Sequence, residues 1–429
     1  MEKTVEYWRA SILHLPSTVA GRVVQHPAHL PALPLLLLLT LLVPRAAGAQ
    51  ALPSGPVSAF DGRLAVGAEV IATIGDRDSS AFFNYTDYEH NVLRMLRVAL
   101  SASWRPAERL ALVAEVRSED FDGVRPYAAF VRVRPWRARA FDIQAGRIPP
   151  VFGSFGRRPY GIDSPAIGYP LAHQYLTALR PDAIPATVDD LLRMRARGWR
   201  LSYPVGARAP SPGLPIVSAF RWDTGVQARW REGVFEVAGA ITTGTLSDPQ
   251  VSDNNGGRGL SARASVFPVP GLVLGASAAR GAWLDRRVRE LLPAGAPTHT
   301  QTAFGADAEY SRDYWLVRAE LVWSRWRLPF AAMAADADLD ALAGWVEGRY
   351  RLTPRVFVAG RLDGLTFSTL PAGLGPAVTW DAPVARAEAG LGYYVQRNLV
   401  VRAGVQHNDR EGGRILRRTY FTGQIAYWF

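Results

Sequence analysis

The chain contains no cysteine, so neither a disulfide nor a thiolate metal site contributes to it. That absence suits an oxidising compartment, where stray thiols are a hazard. Lysine occurs once, at Lys3, and arginine supplies the other basic side chains behind a formal net charge of +11. The arginines are spread along alternating stretches rather than run together. This argues against a nucleic-acid partner and for an exported surface biased toward anions. After residue 49 no apolar run reaches the roughly 18 residues that a membrane-spanning helix needs. There is no G-x-S-x-G elbow, phosphate-cradling glycine loop or H-E-x-x-H. His90, His173, His299 and His407 lack metal-ligand spacing. The chain therefore gives no reason to expect an enzyme, a metal or a cofactor.

What is present begins with a leader. "LPALPLLLLLTLLVPRAAGAQ" holds an apolar core from Leu35 to Val43, then the small-residue pattern Ala47-Gly48-Ala49. This reads as a secretory signal peptide over residues 1–49, with a mature chain from about Gln50. Beyond it, mean hydropathy is only −0.01 for the whole chain, because polar residues dilute apolar ones throughout. Stretches of about ten alternating residues are closed in turn by a tight turn and by a long polar loop. "RPAE" (105–108), "REG" (231–233) and "QRN" (396–398) are examples of the first kind. The longest of the second kind is 149–220. Seven short turns interleaved with eight long loops predict an all-β, antiparallel transmembrane barrel of about sixteen strands.

Face patterns agree. In 313–326 Trp315, Val317, Ala319, Leu321 and Trp323 share one face, an oily band with an aromatic at each end, against Arg318, Glu320 and Ser324. In 221–230 Trp222, Val226 and Trp230 oppose Arg221, Asp223, Gln227 and Arg229. The chain ends in "RTYFTGQIAYWF", where Phe421, Ile425, Tyr427 and Phe429 share a face.

That terminus resembles the last strand of bacterial outer-membrane β-barrel proteins, whose terminal aromatic is read by the assembly machinery. The resemblance implies that Tyr427 and Phe429 form an assembly signal and that the chain resides in outer-membrane lipid. Within that class the chain resembles porins of the phosphate-selective O/P type. It does so through Ala145-Gly146-Arg147, Gly225-Val226-Gln227 and Thr243-Gly244-Thr245. The family's basic cluster uses lysines, which are absent here after residue 3. The resemblance thus implies a porin more than a phosphate channel, with a homotrimer as its implied assembly.

A porin works through charged side chains in a water-filled lumen. The expected wall candidates are Arg132, Arg134, Arg229, Arg318, Arg349, Arg361 and Arg386. The inserted segment 149–220 is expected to set the pore's width. "TVDDLLRMRARG" (187–198) reads as a short helix capped by Thr187 and Asp190, with Arg193, Arg195 and Arg197 projecting into the passage. Arg157 and Arg158 lie on its Gly-rich lead-in. Inward acids nearly balance inward arginines, so only a mild anion preference is expected, for small anionic or neutral solutes. The competing readings are a structural or adhesive barrel plugged by 149–220 and, less so, a barrel enzyme. "SDNNGG" (252–257) reads as turn chemistry before a cation site.

Overall fold

Alternation over ten to fifteen residues fixes one face of a strand against water and the other against an apolar medium, and closure into a barrel satisfies every edge. The computed structural model describes Pro53 and residues 55–429, apart from 87–89, 294–297, 334–335 and 372–375. The leader expected over 1–49 lies outside these residues.

Sixteen long antiparallel strands form the barrel. The first five are β1 (Leu64–Gly75), β2 (Leu96–Ala107), β3 (Leu110–Glu119), β4 (Arg125–Val133) and β5 (Ala140–Ile148). After the insertion come β6 (Asp223–Glu232), β7 (Phe235–Thr242), β8 (Gly259–Val266), β9 (Leu272–Ala282) and β10 (Thr300–Arg312). Next are β11 (Trp315–Leu328), β12 (Ala337–Arg351) and β13 (Val356–Phe367), and last β14 (Val384–Gln396), β15 (Leu399–Arg410) and β16 (Thr419–Trp428). Each strand pairs with the next, and β16 closes on β1 with Val70 opposite Tyr427. Phe429 extends the seam, exchanging 3.0 Å backbone bonds with Ala68 in both directions. A short strand, Val57–Ala59, lies against the start of β1.

Seven connections are tight and share a rim with the chain's two ends, whereas the connections at the opposite rim are mostly long. Gly233, at φ +55°, makes the β6–β7 turn, a conformation that costs glycine little. Among the described residues the long connections carry three short helices: α1 (Leu171–Gln174), α2 (Val188–Arg193) and α3 (Arg286–Arg289).

Outward faces are bare and oily. Val346 is 51% exposed and Leu362 66%, whereas their inward neighbours Glu347 and Arg361 are each 1% exposed. Aromatic pairs flank the band, Phe304 stacking on Trp323 at 5.7 Å and Trp315 tilting against Tyr350 at 4.6 Å. Trp222 departs from the expected face. It precedes β6 and is buried against Tyr127, 5.0 Å away.

The inside also departs from expectation, for it is polar only in part. Toward the long-loop rim the inward positions turn apolar: Val322, Trp326 and Leu328 on β11, Leu339, Ala341 and Trp345 on β12, Leu365 and Phe367 on β13. Alternation continues there without a change of polarity, because these side chains meet protein instead of water.

Candidate channel lumen and its inserted segment

What the inward apolar patch meets is residues 149–222. The segment leaves β5 through Pro149 and Pro150 and enters the lumen with "VFGSFG" (151–156) buried. Gly153 sits at φ +58°, and a Cβ there would stand 2.2 Å from Glu320 Oε1. Its N–H donates to Ser277 Oγ at 3.0 Å. The Glu320 carboxylate accepts from Ser154 N–H at 3.2 Å, Ser154 Oγ at 3.1 Å and Phe155 N–H at 3.2 Å. One wall acid thus fixes the lead-in, with ionic character strengthening each bond.

The segment then crosses the lumen, and the wall's charges anchor it. Glu115 accepts from Tyr160 Oη at 2.9 Å, and Glu69 from Gly161 N–H at 2.8 Å. Arg402 donates to the Gly161 carbonyl, and Arg318 to that of Asp163. Arg386 donates to the Tyr169 carbonyl at 3.1 Å, while Asp363 accepts from Leu171 N–H at 3.3 Å. Arg361 holds the Glu388 carboxylate at 2.8 and 2.9 Å. Of the expected wall arginines, Arg318, Arg361 and Arg386 are therefore committed to holding the insertion and their neighbours in place.

Above this layer one apolar core joins the insertion, the wall and the loops. Leu171, Leu179, Ile184, Leu191 and Ile216 pack with Trp326, Phe83, Trp283, Phe330 and Trp380. Two cavities between insertion and wall measure about 40 and 20 Å³, room for a few water molecules. Asp381, fully buried, accepts from Ala178 N–H at 2.7 Å, Ala196 N–H at 2.9 Å and Tyr175 Oη at 3.2 Å. Burial pushes its carboxyl above the usual carboxylate range, against the pull of those donors.

Of the helix foreseen in 187–198, Val188–Arg193 is helical as α2 with the Thr187–Asp190 capping box formed, and Arg195 and Arg197 fall beyond its end. Its arginines do not line a passage. Arg193 pairs with Asp190. Arg195 donates to the Thr379 carbonyl at 3.1 Å and pairs with Glu411 at 3.0 Å, and Arg197 is exposed. All three stand among the long loops: α2 packs Leu191 into the apolar core with Arg193 exposed, and Arg195 and Arg197 follow the end of the helix.

The solvated part of the lumen faces the tight-turn rim. Arg158 is 41% exposed while pairing with Glu309 at 2.6 Å, and Arg132 is 32% exposed while pairing with Asp142 at 2.7 Å. Arg229, 26% exposed, stands 3.9 Å from Glu236. Arg157, on the insertion's lead-in, forms no hydrogen bond or ion pair among the described residues, and its Nε is buried without an acceptor. Arg349 lies over the Phe357 ring at 5.8 Å, and Arg134 is exposed just past β4. Parity places Arg132, Arg229 and Arg349 on the inward face but does not separate solvated arginines from anchoring ones, and it has no bearing on Arg157 and Arg158, which lie on the insertion.

The short motifs are structural neighbours. Ala145 pairs with Val226 and Gly146 with Gly225, so two of them lie side by side on β5 and β6. A Cβ on Gly225 would come within 2.1 Å of the Ile241 carbonyl, which explains the glycine. Asp223 accepts from Gly244 N–H at 3.0 Å, Gln250 N–H at 3.1 Å and Thr243 Oγ1 at 3.1 Å, tying the third to the rim. In "SDNNGG", Asn255 donates to the Thr243 and Ala282 carbonyls, so this stretch is a turn. At the chain's end Tyr427 donates to the Pro53 carbonyl at 2.7 Å, and Phe429 lies 6.0 Å from it in the seam.

The fold is that of outer-membrane β-barrels. The chain is similar to OmpF of Salmonella typhi in complex with daunomycin, at TM-score 0.53 and 11% identity, over 87% of this chain and 100% of that one. It is also similar to a loop-deletion mutant of OmpT, an outer membrane protein of Vibrio cholerae, at TM-score 0.52 and 12% identity, over 85% and 99%. No family model matches the sequence. No curated protein matches it either.

Proposed function

We propose that the protein is an outer-membrane channel of the porin type, passing small hydrophilic solutes with a mild preference for anions. The observation that carries this is the solvated, arginine-rich inner lumen, where Arg132, Arg229 and Arg158 face water and Arg157 lacks a counter-charge. Guanidinium groups in a confined, low-dielectric passage, three each sharing a carboxylate and Arg157 without one, attract anions without holding them tightly. The resemblance of the motifs on β5, on β6 and just past β7 to the O/P type agrees with this reading. Export by the leader over 1–49, delivery to the outer membrane through Tyr427 and Phe429, and a homotrimer belong to the same proposal.

The apolar core across the long-loop half favours a second reading, a barrel plugged in its resting state. Single-channel recording of the mature chain in a planar bilayer under a salt gradient separates the two. Conductance with an anion-favouring reversal potential supports the channel. A folded barrel that never conducts sinks it and leaves the plugged barrel.

A further inference from the structure

The seam between β16 and β1 is finished by a stretch outside the sixteen strands. β16 follows β1 as far as Phe429, opposite Ala68, and stops there, although β1 continues to Leu64. The short strand Val57–Ala59 resumes the same line, with Val57 opposite Val66 and Ala59 opposite Leu64. Between the two, a Cβ on Gly67 would come within 2.7 Å of the Phe429 carbonyl, so the backbones are in close contact. A sharp turn at Phe60, Asp61 and Gly62, all at positive φ, returns the chain from this strand into β1.

Upstream, the Pro53 carbonyl crosses to the other side of the seam. It accepts from Tyr427 Oη at 2.7 Å and from Asn398 Nδ2 at 2.7 Å. Asn398, only 2% exposed in the β14–β15 turn, also donates to the Trp428 carbonyl at 2.5 Å. Its own backbone carbonyl accepts from Trp428 N–H at 3.1 Å, and Gln396 Nε2 holds its Oδ1 at 3.1 Å. One amide thus grips Pro53 and the end of β16 together.

The path from Pro53 to Val57 spans at most about 14 Å when fully extended. With Val57–Ala59 paired on β1, Pro53 therefore reaches Tyr427 and Asn398 only when β16 already lies beside β1. Any form with the two strands apart leaves one end of the stretch without its partner. Before closure, the edge of β16 that faces β1 is a row of unpaired backbone groups, which a partner can hold by adding a strand. That strand occupies the place of β1, and β1 has to displace it. We propose that residues 53–59 are a closure latch that lets β1 displace a strand of the assembly machinery from the open edge of β16. The latch is tethered to β1 and satisfied only at the closed seam, so it tips the exchange toward the chain's own strand. The inference rests on the reading of β16, with Tyr427 and Phe429, as an assembly signal.

The test expresses the full chain with its leader in a Gram-negative host, carrying a photo-crosslinking amino acid in place of Ile425, which is exposed on the outer face of β16. After a pulse of synthesis, the crosslink to the host's assembly machinery is followed over time. Asn398→Asp keeps the side chain's size and removes its donor. A second variant carries Gly-Ser-Gly-Ser-Gly in place of 55–59, which removes the short strand at constant length. Each should prolong the crosslinked state by at least about threefold. Arg137→Ala, at the β4–β5 turn, should not. Purified from urea into detergent, where no partner strand has to be displaced, both variants should fold as fast as the unmodified chain. Equal slowing in detergent overturns the proposal, because 53–59 would then be one more piece of the wall. An unmodified chain that never crosslinks sinks the assembly-signal reading and this inference with it. A transient crosslink that neither variant prolongs sinks this inference alone.

Discussion

Glu320 shows how a single side chain fixes the insertion. Its Oε2 accepts from two backbone N–H groups and one hydroxyl, in a place where no water can replace it. Glu320→Ala orphans those N–H groups at roughly 1–3 kcal/mol each. It should lower the thermal midpoint of the folded barrel, while Glu320→Gln, which keeps a carbonyl acceptor, should lower it far less. Equal losses would contradict the assigned role. Gly153→Ala places a Cβ against the same carboxylate at a positive φ and should destabilise comparably. Arg157 is the contrasting case, a cation that anchors nothing. Arg157→Ser should leave stability nearly unchanged yet move the reversal potential away from anions, and a bilayer recording reads both the conductance and the sign.

At the scale of elements, the outer mouth is held by polar pins through an apolar packing. Asp381 ties the stretch after α1 and the end of α2 to the loop before β14. Asp381→Ala should expose 187–198 to limited proteolysis while the strands stay protected. Intact resistance would show that packing alone suffices. His299, beside β10, is buried and held below its usual 6.5, although Asp336 lies 3.4 Å from its Nε2 and pulls the other way. Arg327 and Arg289 also disfavour its charge. A depressed folded value means that the unfolded chain takes the proton first. The stability His299 contributes is therefore complete above pH 6.5 and is lost as pH falls through its folded value. Protease resistance of the outer loops should decline with acid over that window, and His299→Gln should flatten the decline.

For the whole molecule, the lumen holds two environments end to end, a solvated arginine-lined half and a packed apolar half. Replacing 151–219 with a short Gly-Ser linker should raise conductance several-fold, if the barrel wall stands without its filling. That wall loses many partners in such a variant. Its folding is checked separately by resistance to unfolding in cold detergent. The terminal residue joins two roles that an experiment can part. Deleting Phe429 removes two seam bonds to Ala68. If the terminal aromatic is an assembly signal, the deletion should impair insertion in cells much more than refolding into detergent. Equal impairment would reduce it to a seam residue.

The sequence by itself determined the wall. A period of two is a local property, so Leu362 and Arg361 declare opposite faces without reference to anything distant. Gly233 and the other tight turns fix which strands are neighbours, and from that the strand number, the two rims and the closure at Phe429 follow. The capping box of α2 was legible for the same reason, since Thr187 and Asp190 are three residues apart. The fate of the lumen was decided only by the tertiary structure. Gly161 meets Glu69, and Ala178 meets Asp381, across long separations in the chain that no local pattern encodes. Val322, Trp326 and Leu339 look like any alternating strand residues until the insertion lies against them. The same contacts separate Arg318, Arg361 and Arg386, which hold the filling, from Arg132, Arg158 and Arg229, which face water. Parity gives the five on strands the same face, Arg158 belongs to the insertion itself, and only the path of residues 149–222 gives the six different surroundings.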